Sequence, residues 1–178
     1  SYVLDAPAGR HGYVTLKGED FIFEDGTKAQ FWGTNNAETA TVQTHEQIDK
    51  YVDVLAASGM NIVRLMDIDG GYFHPNVFGY NRDSITVDAD AMDQMCYFWA
   101  KCKEKGIYIQ YCLLGVRYPS TEMNHPAYED LSIGFKTEIY FDPQLQEMTK
   151  ELEKTILTWE NPYTGTTLAN DPCVAMYE

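Results

Sequence analysis

Positive charge is scarce in this chain. Thirteen Lys and Arg stand against 27 Asp and Glu, a formal net charge of −14 over 178 residues. Affinity for a phosphate backbone comes mainly from Lys and Arg displacing counterions, so this balance disfavours nucleic acid and leaves neutral or cationic ligands easier to accept. Long apolar runs are missing as well. The longest, residues 107–116, is interrupted by Gln110 and Gly115, and falls far short of the roughly 20 residues a membrane-spanning helix needs. The opening SYVLDAPAGR has neither the basic start nor the apolar stretch of a secretory leader. Cysteine is sparse, and Cys96, Cys102, Cys112 and Cys173 show no CxxC or Cys/His spacing for structural zinc. Cys96 and Cys102 share a predicted helix with a rise of about 9 Å between them, beyond disulfide reach. Reduced, partly buried thiols are expected, with a Cys112–Cys173 pairing across neighbouring strands as the alternative. No GxGxxG or GxxxxGK[ST] follows any predicted strand, which counts against a nucleotide-binding sheet.

What is present describes an ordinary globular protein, 44% hydrophobic and 22% charged, of a length that suits one domain with a full core. From Gly12 to Asn36 the sequence reads as strands with a hairpin. Phe21-Ile-Phe-Glu24 and Thr27-Lys-Ala-Gln-Phe31 flank Asp25-Gly26, a strong turn signal. Phe31 to Asn35 continues as the first strand of a main sheet. Thr44 and Gln47 spell a capping box for a first helix that ends before Gly59, striped by Ile48, Val52, Leu55 and Ala56. Met60 to Met66 then reads as a buried strand, apolar except for Arg64, as expected of a parallel sheet covered on both faces. A second helix starts at Asp88, is striped by Met92, Cys96 and Trp99, and stops at Gly106. Residues 107–114 form the next strand. Asp142-Pro143 starts a third helix striped by Leu145, Met148, Leu152 and Ile156, and Cys173 to Tyr177 forms a fourth strand.

Strand and helix alternate as in right-handed βαβ crossovers, and long loops follow the carboxyl ends of strands, where α/β folds build their sites. The fold class expected is α/β, of the (β/α)₈ barrel type. About the first four βα units are present, preceded by a β-hairpin. Residues 1–30 would form the amino-terminal segment and hairpin, and residues 31–178 half a barrel.

Phe21-Ile-Phe-Glu-Asp-Gly26, Phe31-Trp-Gly-Thr-Asn35 and Ser58-Gly-Met-Asn-Ile-Val-Arg-Leu65 resemble, in this order, the start of the retaining (β/α)₈ glycoside hydrolases of the family 5, cellulase-like type. Tyr97-Phe-Trp-Ala100, Lys105-Gly-Ile-Tyr-Ile-Gln110, Asn161-Pro-Tyr-Thr-Gly165 and Asp171-Pro-Cys-Val-Ala-Met-Tyr-Glu178 continue the resemblance to the chain's last residue. It implies a hairpin plugging the barrel bottom, a β-linked polysaccharide or oligosaccharide substrate and a secreted, cell-surface or periplasmic location. It also implies a two-carboxylate mechanism without metal or organic cofactor. Glu178 matches the Glu that precedes an Asn-Glu pair on strand four. The acid/base is therefore expected about four residues beyond it and the nucleophile on strand seven, so no catalytic carboxylate falls within the chain and the chain alone is not expected to hydrolyse glycosides.

Within the chain, Arg64 matches the family arginine that orients the nucleophile; the alternative is a structural bridge to Asp67 or Asp69. Asn35, Asp69, Arg117 and Glu178 are the other cleft candidates. Arg117 is equally readable as a solvated loop residue, and Asp67 with Asp69 as ordinary ion-pair residues rather than a metal site. Tyr72, Phe73 and Phe78, with His74 and Tyr80, crowd the loop after the second strand. They suit either an aromatic platform for sugar rings or a self-packed loop. The partners expected are glycan, not nucleic acid or membrane. A second copy or a missing carboxyl-terminal half would close the barrel, because the outer strands of a half-barrel are open edges. A non-catalytic glycan-binding or self-associating half-barrel is the competing reading.

Overall fold

The computed structural model describes residues 4–70, 75–79, 86–113, 122, 124–126 and 135–178. Arg117, Tyr72, Phe73, His74 and Tyr80 lie outside the described residues.

An antiparallel hairpin comes first. Strand β1 (Val14–Lys17) pairs with β2 (Asp20–Phe23), Lys17 opposite Asp20. The turn between them is Gly18-Glu19, with Gly18 at φ 64°, the first-position glycine that a type II′ hairpin demands. The hairpin therefore lies one strand earlier than the Asp25-Gly26 pair indicates. That pair makes a turn of its own, with Phe23 N–H donating to the Thr27 carbonyl at 2.8 Å, but it leads only to a single bridge between Ile22 and Lys28.

The main sheet has four parallel strands in chain order, β3 (Gly33–Ala37), β4 (Ile62–Met66), β5 (Tyr108–Tyr111) and β6 (Val174–Tyr177). Helix α1 (His45–Ala57) links β3 to β4, α2 (Ala89–Lys105) links β4 to β5, and a short α3 (Phe135–Glu138) followed by α4 (Pro143–Leu157) precedes β6. The starts are where the sequence places them. Thr44 and Gln47 form a reciprocal capping box, Asp88 accepts from Ala91 N–H, and Asp142 accepts from Gln144 and Leu145 N–H with Pro143 behind it. Helix α2 ends at Gly106 in the left-handed region, φ 81°, where a Cβ would also meet the Asp5 carbonyl at 2.7 Å.

The core lies between the sheet and its helices. Val63, Leu65, Ile109 and Tyr111, all fully buried, meet Ile48 and Val52 of α1, Met92, Cys96, Trp99 and Cys102 of α2, and Ile156 of α4. Each such aliphatic side chain stabilises the fold by about 1.5–3 kcal/mol on burial. None of the four cysteines is in a disulfide. Cys173 is buried with its Sγ 3.6 Å from the Ile107 carbonyl, and no pairing with Cys112 forms.

One buried ion pair fixes the last strand. Asp171, 1% exposed, accepts from Lys103 Nζ at 2.8 and 3.0 Å, from Thr166 Oγ1 at 2.7 Å and from the Cys173 N–H at 2.8 Å. Lys103 belongs to α2, and its own carbonyl accepts from the Ala8 N–H, so the same turn also holds the amino-terminal segment.

Two substitutions test this packing. Lys103→Met strands a buried carboxylate, and should cost about 3 kcal/mol in chemical denaturation, the lower end for breaking a buried pair because Lys103 is partly exposed. Gly33→Ala drives a Cβ to within 1.8 Å of the Ile62 carbonyl on the neighbouring strand. It should destabilise by about 1–3 kcal/mol, the range for overpacking; an unchanged midpoint would contradict the close β3–β4 approach.

Candidate functional site

Parallel register decides which side chains share a face. Asn35, Arg64 and Gln110 are successive partners across β3, β4 and β5, and after a bulge between Ile109 and Gln110 the partner on β6 is Met176. Side chains alternate along a strand, so these residues point away from the helices that bury Val63, Leu65, Ile109 and Tyr111. At the amino end of this second face sit Ile62 and Tyr108, covered by the end of β2 and the segment that follows it. The Tyr108 ring is 5.4 Å from both Phe23 and Phe31. At the carboxyl end the face is open and polar.

Glu178 completes that end. Strand pairing runs past the last strand residues, with Glu178 N–H donating to the Tyr111 carbonyl and Leu113 N–H donating to the Glu178 carbonyl. Two residues beyond Met176, the Glu178 side chain emerges on the Arg64 face. Arg64 Nε donates to Glu178 Oε2 at 2.5 Å and Nη2 donates to Oε1, a two-pronged pair, while Gln110 Nε2 donates to Oε2 at 2.9 Å. Two parallel N–H bonds fix orientation as well as distance, which a Lys could not do. The Arg64 bond, and secondarily Gln110, hold the Glu178 carboxyl below its usual range, and the same bond raises Arg64. Arg64 Nη1 rests on Met66 Sδ at 3.0 Å. The pair is half-open to solvent, with side chains 27% and 45% exposed.

The structural bridge considered for Arg64 is thus made, though with Glu178 rather than Asp67 or Asp69. Asp69 goes elsewhere. Asp67 adopts φ 54° immediately after β4 and turns the chain, and Asp69 is buried. There, with Glu153, it helps raise the Tyr111 hydroxyl well above the ordinary value; burial is the larger cause, and Tyr111 donates to Glu153 Oε2 at 3.1 Å. Phe78 is only 4% exposed and packs in the core, so it presents no platform, the buried position having won over display. Asn35 is exposed beside Arg64, whereas its neighbour Asn36 is buried and accepts from the Tyr51 hydroxyl at 2.9 Å. Asn35, Arg64 and Glu178 are therefore brought together and Asp69 is not.

Sequence reasoning missed Gln110. The signal was available: in an apolar strand, Gln110 is the one polar residue between Tyr108 and Tyr111, in the same position as Arg64 in β4. It also missed an exterior brace. His45 stacks on Tyr97 at 3.8 Å, Tyr163 stands at right angles to Tyr97 at 5.2 Å, and Asp93 bonds both His45 and the Tyr163 hydroxyl. This brace ties the Asn161-Pro-Tyr-Thr-Gly165 turn to α1 and α2. Among the described residues, no group of three or more His, Cys, Asp or Glu could hold a metal ion, and no helix is long and apolar enough to cross a membrane.

No family model matches the chain, and no curated protein does. Solved structures do. The endo-1,4-β-mannanase from Rhizomucor miehei superposes with a TM-score of 0.72 at 17% identity, over 94% of this chain and 47% of that one. The family 5 mannosidase from the same organism gives 0.67 at 14%, over 94% and 48%. The endo-β-1,4-mannanase from Thermotoga petrophila gives 0.60 at 20%, over 86% and 36%. The chain spans about half the length of these proteins or less. Its four parallel strands, their helices and the leading hairpin have the fold of the amino-terminal half of a glycoside hydrolase family 5 (β/α)₈ barrel.

Proposed function

We propose that this chain supplies the amino-terminal half of a retaining glycoside hydrolase barrel acting on β-linked polysaccharide. Residues 1–30 would close its bottom and residues 31–178 would form its first four βα units. The observation that carries the reading is the position of the Arg64–Glu178–Gln110 cluster: the carboxyl ends of adjacent parallel strands, on the face turned away from the helices, where barrel sites are built. The similar structures named as mannanases favour a β-linked mannan over other glycans.

In this reading Arg64 is a positioning residue. Its guanidinium, fixed by Glu178 and steadied by Gln110, would orient a nucleophilic carboxylate brought by the second half. Asn35 lies beside it to meet a sugar hydroxyl, Arg117 would do the same, and the aromatic rings of Tyr72 and Phe73 would stack on the apolar faces of sugar rings. Retaining chemistry needs two carboxyls about 5–5.5 Å apart, one protonating the leaving oxygen and one attacking the anomeric carbon. Both would come from beyond Glu178, and both steps run on carboxylates and water without a cofactor. A secreted or cell-surface location belongs to the same proposal, since a polysaccharide substrate is met outside the cell.

A second reading is a half-barrel that binds glycan without cleaving it, or that closes by self-association. It is favoured by the edges of the sheet: among the described residues β3 and β6 each pair on one side only, and open edges invite another chain.

Reducing-sugar release from β-mannan and β-glucan separates the readings. The 178-residue chain should release none, and a protein extending past Glu178 through a complete barrel should cleave with retained anomeric configuration. In that longer protein Arg64→Lys should lower kcat roughly 100-fold, the scale of a misplaced reacting group. In the 178-residue chain the same change should alter stability by less than about 1 kcal/mol, because the pair is half-exposed. Turnover by the 178-residue chain alone, or an inactive complete barrel, would overturn the proposal. A dimer by sedimentation with glycan binding and no cleavage would favour the second reading.

A further inference from the structure

Among the described residues, the tightest charged cluster outside the site lies at the opposite end of the sheet. His11 Nδ1 is 2.5 Å from Asp25 Oδ2, and His11 Nε2 is 2.6 Å from Asp5 Oδ2. A neutral imidazole has one N–H donor and one lone pair, so it can satisfy one carboxylate and must turn a lone pair on the other. Only the imidazolium, with two N–H groups, can donate to both.

The two carboxylates come from different parts of the chain. Asp5 belongs to the amino-terminal segment and is also held by Arg10 at 2.7 Å. Asp25 belongs to the turn after β2, where Oδ1 accepts from the Thr27 N–H at 2.8 Å. Hydrogen bonds from Thr27 and then His11 bring Asp25 down to about 2, so it stays ionised. His11 is largely covered, its side chain 18% exposed and its ring 5.5 Å from Phe23. Asp5, His11, Thr27, Lys28 and Tyr108 line a shared concavity of about 250 Å³.

We propose that His11 is a pH-operated clasp. As imidazolium it ties the amino-terminal segment to the turn after β2, across the amino end of the sheet, and as neutral imidazole it releases one of the two.

The surrounding charges set the direction. Asp25 and then Asp5 raise the His11 pKa above its ordinary 6.5. Arg10 of the same segment faces Asp5, Lys28 pairs with Asp20, and Glu24 accepts from the Tyr13 N–H. Tyr108 of β5 is raised by burial and is neutral wherever His11 titrates. Because the folded-state pKa is raised, the stabilisation is complete below the unfolded value and is lost as pH rises through the folded value. The clasp closes below the raised midpoint and opens above it. It shares no residue with the Arg64 cluster, so it stands whatever glycan the barrel takes.

Nuclear magnetic resonance of the histidine rings in the 178-residue chain tests the clasp, with His11 assigned by its loss in His11→Gln. The His11 midpoint should lie above 6.5, with protons on both ring nitrogens below it, and Asp5→Asn and Asp25→Asn should each lower it. Amide exchange in residues 4–12 and 23–28, corrected for intrinsic rate, should accelerate above the midpoint. The factor should be about tenfold for each pH unit by which the midpoint is raised. In His11→Gln the same amides should exchange fast with no such step. A midpoint at or below the ordinary value, one indifferent to both Asp substitutions, or exchange without a step would overturn it. The Asp variants change exposed groups only and keep the test decisive if His11→Gln fails to fold.

Discussion

The site depends on the buried carboxylate of Asp171, which is far from it. By accepting from Lys103, Thr166 and the Cys173 N–H together, Asp171 locks the start of β6 to the end of α2. Everything downstream on β6 inherits that anchor. The bulge between Ile109 and Gln110 then sets the parity, so that Met176 and Glu178, rather than Ala175 and Tyr177, share the face of Arg64. A slip of one residue would turn Glu178 toward the helices and Tyr177 toward Arg64, since side chains alternate strictly along a strand. The Arg64–Glu178 pair thus reports a register decided several residues earlier by a buried charge with its bonds filled.

Much of the fold was legible because its signals are local. Thr44 with Gln47, Asp88, Asp142 with Pro143, and Gly106 each satisfy or end a helix by their own chemistry, and each appears where the sequence puts it. The apolar stripes of α1 and α2 face the sheet for the same reason, and α4 buries Leu145 and Ile156 of its own stripe. The hairpin was misplaced because two turns compete within nine residues. Asp25-Gly26 carries the stronger composition signal, yet the ladder forms across Gly18-Glu19, whose pairing is decided by where Phe23 can be buried against Tyr108 and Phe31. That is a long-range contact, and no window of sequence contains it. The same holds for the thiols: strand proximity suggested Cys112 with Cys173, but adjacent strands place them at different heights, with Cys173 opposite the start of β5 and Cys112 past its end.

The site was legible in part. Arg64 stands out as a charge inside an apolar strand, and a charge there must have a partner. Which partner could not be read, because Glu178 lies 114 residues away in sequence while Asp67 and Asp69 lie close by. Proximity along the chain is a poor guide once Asp67 turns the backbone and sends Asp69 into the core. Phe78 misled in the same way: an aromatic in a loop has no stated direction, and the Phe78 side chain packs inward. Gln110 was overlooked because an amide in a strand carries a weaker demand for a partner than a guanidinium, although the register makes it the neighbour of Arg64.

Two of the ion pairs among the described residues, Lys103–Asp171 and Arg64–Glu178, lie in environments that assign them different roles. Lys103–Asp171 has a fully buried carboxylate, so removing its partner would leave a charge without water, and the pair is bound up with folding. Arg64–Glu178 is half-exposed, where ion pairs contribute at most about 1 kcal/mol, and stability alone does not account for placing it on an otherwise apolar strand. What it does provide is orientation: a planar guanidinium held along two parallel bonds, backed by an amide, at the open carboxyl end of a rigid sheet. A group so fixed needs no rearrangement when a second carboxylate or a ligand arrives, which is the condition for an electrostatic element to act in recognition or catalysis. The separation of these two roles, one acid committed to the strand's anchor and the other presented at its tip, is what makes the end of β6 the centre of the candidate site.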